Sequence, residues 1–220
     1  MLKEEKNTMI NRPLILTWIA TLFARELTLD DVESYRNGKG RVLLDTIAGE
    51  IPEAVELERM RSILQGPGTY EDTVLDLAGA FSWLFHGVGG PKAAPTHWHD
   101  WSEESDGSQM NCIDTCAELM SRCGLGPALE SDESADHVSV QLEFLGYLEA
   151  RSASDPDGPW NEYRDQLVRD QINAWLPYFL TACERNDRNG FYAALASFTR
   201  RILSDSLTGS ANSTHAAHAA

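Results

Sequence analysis

Two segments of this 220-residue chain place side chains able to do chemistry at close spacing: His97-Trp98-His99-Asp100-Trp101 and Asp136-His137. In the first, imidazoles at positions i and i+2 beside a carboxylate are ligand types for zinc or copper. A competing reading gives this segment to its indoles, with Trp98 and Trp101 anchored against helices or facing an apolar side chain of a ligand. In the second, Asp136 and His137 close an acidic stretch, residues 130–135, directly before an apolar run. A carboxylate is favoured at a helix N-terminus and a protonated imidazole is not, so His137 is expected neutral near pH 7. The plain alternative for this pair is a capping network that fixes a joint between two helical halves. Cys112 and Cys116, about one helical turn apart, could bind a metal or oxidise, and fit equally two small buried thiols.

Other chemistry is absent from the sequence. It holds no Gly-x4-Gly-Lys, no Gly-x-Ser-x-Gly, no His-Glu-x-x-His and no dinucleotide fingerprint. Gly66-Pro67-Gly68 and Gly87 to Gly90 read as helix stops and not as phosphate cradles, so no cofactor is expected. The formal charge of −16 repels nucleic-acid phosphates and anionic lipid and favours a basic ligand or peptide; it also serves solubility.

The elements that would carry these residues read as helices. Pro13 suits a first helical turn, with Leu14, Trp18, Leu22 and Leu27 following at helical spacing. Thr28 to Asp31 and Thr69 to Asp72 are capping boxes, in which a hydroxyl and a carboxylate satisfy orphan amides reciprocally. The second precedes an apolar stripe of Val74, Leu77, Phe81, Leu84 and Phe85. Between Gly87 and Gly107 no period is sustained, which predicts a long functional loop. Residues 138–144 alternate like a strand, yet Val138, Leu142, Leu145 and Leu148 also fit a helix. The scarcity of hairpin-bounded β-branched windows elsewhere decides for the helix, with Ser134 as its N-cap and Asp136 and His137 in its first turn. Beyond Trp160 the apolar stripe is nearly continuous, and Pro177 is expected to kink or divide that helix.

An all-α protein of one domain follows, spanning residues 13–205, with halves of about 13–129 and 136–205 joined by a hinge near residues 130–136. Residues 1–12 are expected to be mobile and 206–220 disordered. No apolar run is long enough for a membrane-spanning helix, and Leu14 to Phe23 is read as part of a mature helix and not as a signal peptide. Four cysteines do not make a disulfide framework, so a reducing cytoplasmic compartment is the default.

Four blocks, in order, resemble the TorD/DmsD family of chaperones for molybdenum-containing reductases. They are Ala80 to Gly90, Glu133-Ser134-Ala135-Asp136-His137, Leu167 to Phe179 and the helix from Phe191. Ser134 stands where the family's motif has proline. The resemblance implies an all-helical cytoplasmic protein with no catalytic activity. Such a protein binds the twin-arginine signal peptide and the apo catalytic subunit of a molybdopterin oxidoreductase until its cofactor is inserted. It also implies a possible domain-swapped homodimer. By matching position, Glu133, Asp136 and His137 become the polar part of a peptide site and Phe81, Leu84 and Phe85 its apolar side, with Trp98 and Trp101 on the adjoining loop. The alternative left by the residues themselves is a small helical metal-binding protein or enzyme built on His97 and His99.

Overall fold

A computed structural model describes residues 11–101, 108–125 and 133–208. The ends expected to be mobile, apart from Asn11, Arg12 and residues 206–208, lie outside them, as do residues 102–107 of the long loop and 130–132 of the hinge. Among the described residues the structure is helical throughout, and its only β pairing is an isolated antiparallel bridge between His97 and His137.

Helix α1 (Arg12–Ala24) starts where the Asn11 side chain accepts from the Leu14 amide at 3.4 Å, with Pro13 in the first turn. Ile15, Leu16, Trp18, Ile19, Leu22 and Phe23 are all buried. A helix apolar on nearly every side belongs at the centre of a fold. Leu14 is the exception to the expected stripe: it is 52% exposed. Helix α7 (Val138–Ser154) lies along α1. Their contact is close at Gly146, where a Cβ would stand 3.0 Å from the Pro13 carbonyl oxygen.

Helices α2 (Leu29–Asn37) and α5 (Tyr70–Phe85) both begin on the expected capping boxes. Thr28 Oγ1 accepts from the Asp31 amide at 3.3 Å and Asp31 returns to the Thr28 amide at 2.8 Å; the Thr69 and Asp72 distances are 3.1 and 3.2 Å. Between them run α3 (Lys39–Glu50) and α4 (Val55–Leu64). Arg36 of α2 donates to the Leu64 and Gly68 carbonyls at 2.7 and 2.9 Å and to Thr73 Oγ1 at 2.7 Å, tying the end of α4 to the start of α5. Helix α5 stops at Gly87, whose φ of 74° is one that glycine adopts at little cost.

The segment after α5 is less irregular than its composition suggests. It contains short 3-10 turns at Gly90–Lys92 and Trp98–Trp101 before α6 (Ser108–Arg122). The C-terminal part comprises α8 (Trp160–Leu167), a π turn (Val168–Ile172), α9 (Asn173–Asn186) and α10 (Phe191–Thr208). Of the two outcomes expected for Pro177, a kink or a division, the division is not found: Pro177 lies inside α9. Its missing amide withdraws the helical donor from the Asn173 carbonyl, which directly follows the π turn. The Pro177 carbonyl accepts from Thr181 Oγ1 at 2.8 Å.

One core joins the helices on both sides of the expected hinge: α1 packs on α7 and α10, and α10 on α4 and α9. No helix among the described residues is long and apolar enough to cross a membrane.

Candidate functional site

The chemistry-bearing segments singled out by the sequence, residues 97–101 and 133–137, meet at the N-terminus of α7. The backbone joins them first. Val138 donates to the Thr96 carbonyl at 2.8 Å and Trp98 to the Asp136 carbonyl at 3.1 Å, which makes the His97–His137 bridge. An orphan amide of α7 is thus satisfied by a segment some forty residues earlier in the chain.

The cap itself differs from the expected one. Helix α7 begins at Val138, and its N-cap is His137, whose Nδ1 accepts from the Ser139 amide at 3.2 Å and lies 2.6 Å from the Ser139 hydroxyl. Ser134 is not the cap, and Asp136 and His137 precede the first turn. The reason is the bridge: pairing with Thr96 and Trp98 holds His137 extended, after a turn in which the His137 amide donates to the Ser134 carbonyl, so the helix begins only at Val138. Ser134 instead donates its hydroxyl to Asp136 Oδ1.

Asp136 is fully buried. Burial alone would raise its pKa, yet it lies below the usual carboxylate value, because the Ser134 hydroxyl, the His99 amide and the His99 ring all stabilise the charge. The His99 amide and Nδ1 reach Asp136 Oδ2 at 3.1 and 2.7 Å. His137 is also buried, and burial lowers its pKa to about 4 against a partial opposing pull from Glu133. It is neutral at pH 7, as expected, but desolvation and not the helix dipole is the main cause.

The accessible face of the cluster is formed by half-exposed groups. Glu133 Oε2 lies 3.4 Å from His97 Nε2 and 3.9 Å from His137 Nε2, and its side chain is 40% exposed. Trp98 and Trp101 are both half-buried, packed against the core. Trp101 donates its indole N–H to the Pro95 carbonyl at 2.9 Å and stands edge-on to Phe179, with ring centroids 6.5 Å apart.

The residues expected to line the site therefore divide by depth. Glu133, Trp98 and Trp101 reach the surface. Asp136 and His137 stand behind them and hold the seam. Phe81, Leu84 and Phe85 are buried at 3%, 0% and 9% exposure, so they form core and not a peptide-facing wall. Phe85 stacks on Phe179 at 6.0 Å and meets Tyr192 at 5.1 Å, so its ring is consumed by the centre of the fold. Phe85 thereby backs the Phe179 ring against which Trp101 packs.

The metal donor set read from the 97–101 segment also changes. His99 is turned onto Asp136, whereas His97 converges with Glu133 and His137. Cys116 is buried and its thiol is pushed up to about 12, chiefly by desolvation, so it stays protonated; the Cys112 side chain lies outside the described residues. Sequence reasoning missed Thr96 and Ser139, and the pairing of His99 with Asp136.

A separate apolar groove of about 530 Å³ flanks α7 where it meets α1 and α6, with Pro13, Leu14, Met120, Val140, Phe144 and Tyr147 among its walls.

A family model described as nitrate reductase delta subunit matches residues 49–181. The chaperone protein TorD of Photobacterium profundum is 31% identical over 189 residues, covering 83% of this chain and 86% of that protein. Those of Aliivibrio salmonicida and Vibrio atlanticus are 28% and 27% identical, covering 87% and 89% of this chain and 91% and 93% of theirs. With a family model over more than half its length and a 31% identical relative over most of it, the chain belongs to the TorD/DmsD family.

Proposed function

We propose that this protein is a chaperone for the maturation of a molybdopterin oxidoreductase. It recognises the twin-arginine signal peptide of that enzyme and holds the apo form in the cytoplasm until the cofactor is in place. It acts by binding and not by catalysis. The observation that carries this reading is the half-exposed Glu133 carboxylate, 3.4 Å from His97 on a seam held by buried Asp136, with the half-buried Trp98 and Trp101 in the segment that follows His97. A guanidinium pairs with a carboxylate and stacks on an indole, and this segment supplies both kinds of group. The acidic surface draws a basic leader to this face. The apolar segment of the leader takes the groove beside α7, whose Val140 lies three residues beyond His137.

Capture from anaerobically grown host cells, with the bound proteins identified by mass spectrometry, is expected to recover a molybdopterin oxidoreductase that still carries its leader. Titration calorimetry with that leader should then show tighter binding of the Arg-Arg form than of a Lys-Lys form. Glu133→Gln should weaken binding by up to about fivefold, the scale of a partly exposed ion pair. Equal affinity of the variant and the natural protein removes Glu133 from the site, and equal affinity for both leaders removes guanidinium recognition.

A further inference from the structure

We propose that His97, Glu133 and His137 form a binding site for a divalent transition metal, with zinc the best match. One ligand atom from each residue, a ring nitrogen of either histidine and a Glu133 oxygen, can be chosen so that all lie within 4.8 Å of one another. Two of the three separations, 3.4 and 3.9 Å, are already close to the roughly 3.4 Å that separates ligands around a tetrahedral ion bound at about 2.1 Å. The third lies between the two rings, and His97 and Glu133, both part-exposed, are the groups that can turn toward the buried His137 ring. Two imidazoles and one carboxylate are a donor set that zinc accepts, and the solvent side of Glu133 leaves room for water at a fourth position.

The surroundings favour the site. A metal-bound imidazole needs a partner for its other nitrogen, and His137 has one: its Nδ1 lies 2.6 Å from the Ser139 hydroxyl. That hydroxyl can accept a proton as well as donate one. Holding the ring proton on Nδ1 leaves the Nε2 lone pair facing Glu133, and what is given up is the Nδ1 contact with the Ser139 amide at 3.2 Å. The His97–His137 bridge fixes the spacing of the two rings, whose centroids are 4.8 Å apart, before any ion arrives. His99, held by Asp136, is not a ligand.

The test uses the full-length protein without an affinity tag, stripped with a chelator, and reads Zn²⁺ binding by calorimetry and Co²⁺ binding by visible absorption. One ion per chain is expected, with the absorption of a four-coordinate Co²⁺ site. His97→Ala and Glu133→Gln should each weaken binding by at least about tenfold, and Ser139→Ala by about tenfold through the ring it orients. The half-exposed Glu133 allows its variant to fold, which circular dichroism verifies. The sequence also holds His215 and His218, so the double variant His215→Ala, His218→Ala serves as control and should bind as the natural protein does. Absence of saturable one-to-one binding overturns the proposal. So does binding that follows His215 and His218, or binding indifferent to Glu133→Gln.

Discussion

Helices α2 and α5 on one side and α7 on the other meet the same need at their first turns, the satisfaction of orphan amides, and meet it in opposite ways. The first two use a threonine and an aspartate three residues apart, each closing on the other within one short stretch. Helix α7 uses His137 as cap, backs it with a buried Asp136, and takes the Val138 amide to Thr96. A local cap sets a helix boundary and does little else. The distributed cap also clamps two distant segments together, and the candidate site is the outer face of that clamp.

The largest expected effect breaks the distributed cap at its centre. Asp136→Ala strands the His99 amide and removes the acceptor for Ser134 and the His99 ring, all at a fully buried position. A loss of roughly 3 kcal/mol is expected, read from the shift of the urea midpoint. Asp31→Ala removes a carboxylate with a comparable number of partners at the surface, and a loss of about 1 kcal/mol is expected there. Equal losses would mean that burial of the seam adds nothing to it. Leader binding should fall in Asp136→Ala, because His99 and Ser134, the chain neighbours of Trp98 and Glu133, lose the carboxylate that holds them.

Acid separates the two kinds of cap by pH window. His137 has a folded pKa of about 4, below its ordinary 6.5, so between these values the unfolded chain binds more protons than the folded one. The stability it confers is full above pH 6.5 and falls as pH drops toward 4. Asp31 is held at about 2, below 3.8, principally by its hydrogen bond with Arg25, so its contribution persists above pH 3.8 and is lost toward pH 2. In chelator-treated protein the upper leg should amount to on the order of 2–3 kcal/mol. His137→Asn, which keeps a capping acceptor, should flatten that leg alone. Asp31→Asn should reduce the lower leg without abolishing it, since the Asp136 pKa is lowered too.

The same contrast explains what the sequence discloses. Both threonine boxes are legible because donor and acceptor lie within four residues, and the helical class follows from apolar periodicity and such punctuation. The start of α7 is misassigned to Ser134 because the group that takes the Val138 amide, Thr96, is about forty residues away. Asp136 and His137 could be singled out by type and Glu133 by the family resemblance, but not their depths: nothing local distinguishes the buried Asp136 from the half-exposed Glu133. Phe81, Leu84 and Phe85 form a stripe that fits a core or a binding wall equally well, and only the packing of Phe179 and Tyr192 assigns it to the core. Pro177 does not divide α9, and composition does not disclose the π turn that precedes that helix.

The smallest effects test whether the local caps are truly local. Thr28→Ala and Thr69→Ala each remove one hydroxyl acceptor, and each should cost about 1 kcal/mol in urea denaturation. Serine at either position should restore most of the loss, since it keeps the oxygen that accepts from the third helical residue. The two boxes share no hydrogen-bond partner, so the double variant should lose the sum of the single losses. One route for coupling exists: Arg36, within α2, donates to Thr73 Oγ1 at 2.7 Å and to the Thr69 carbonyl at 3.5 Å, so fraying of α2 could reach the start of α5. An excess over the sum that disappears in an Arg36→Met background would identify that arginine as the link. Additivity in both backgrounds would leave the seam at α7 as the cap through which distant segments of this chain depend on one another.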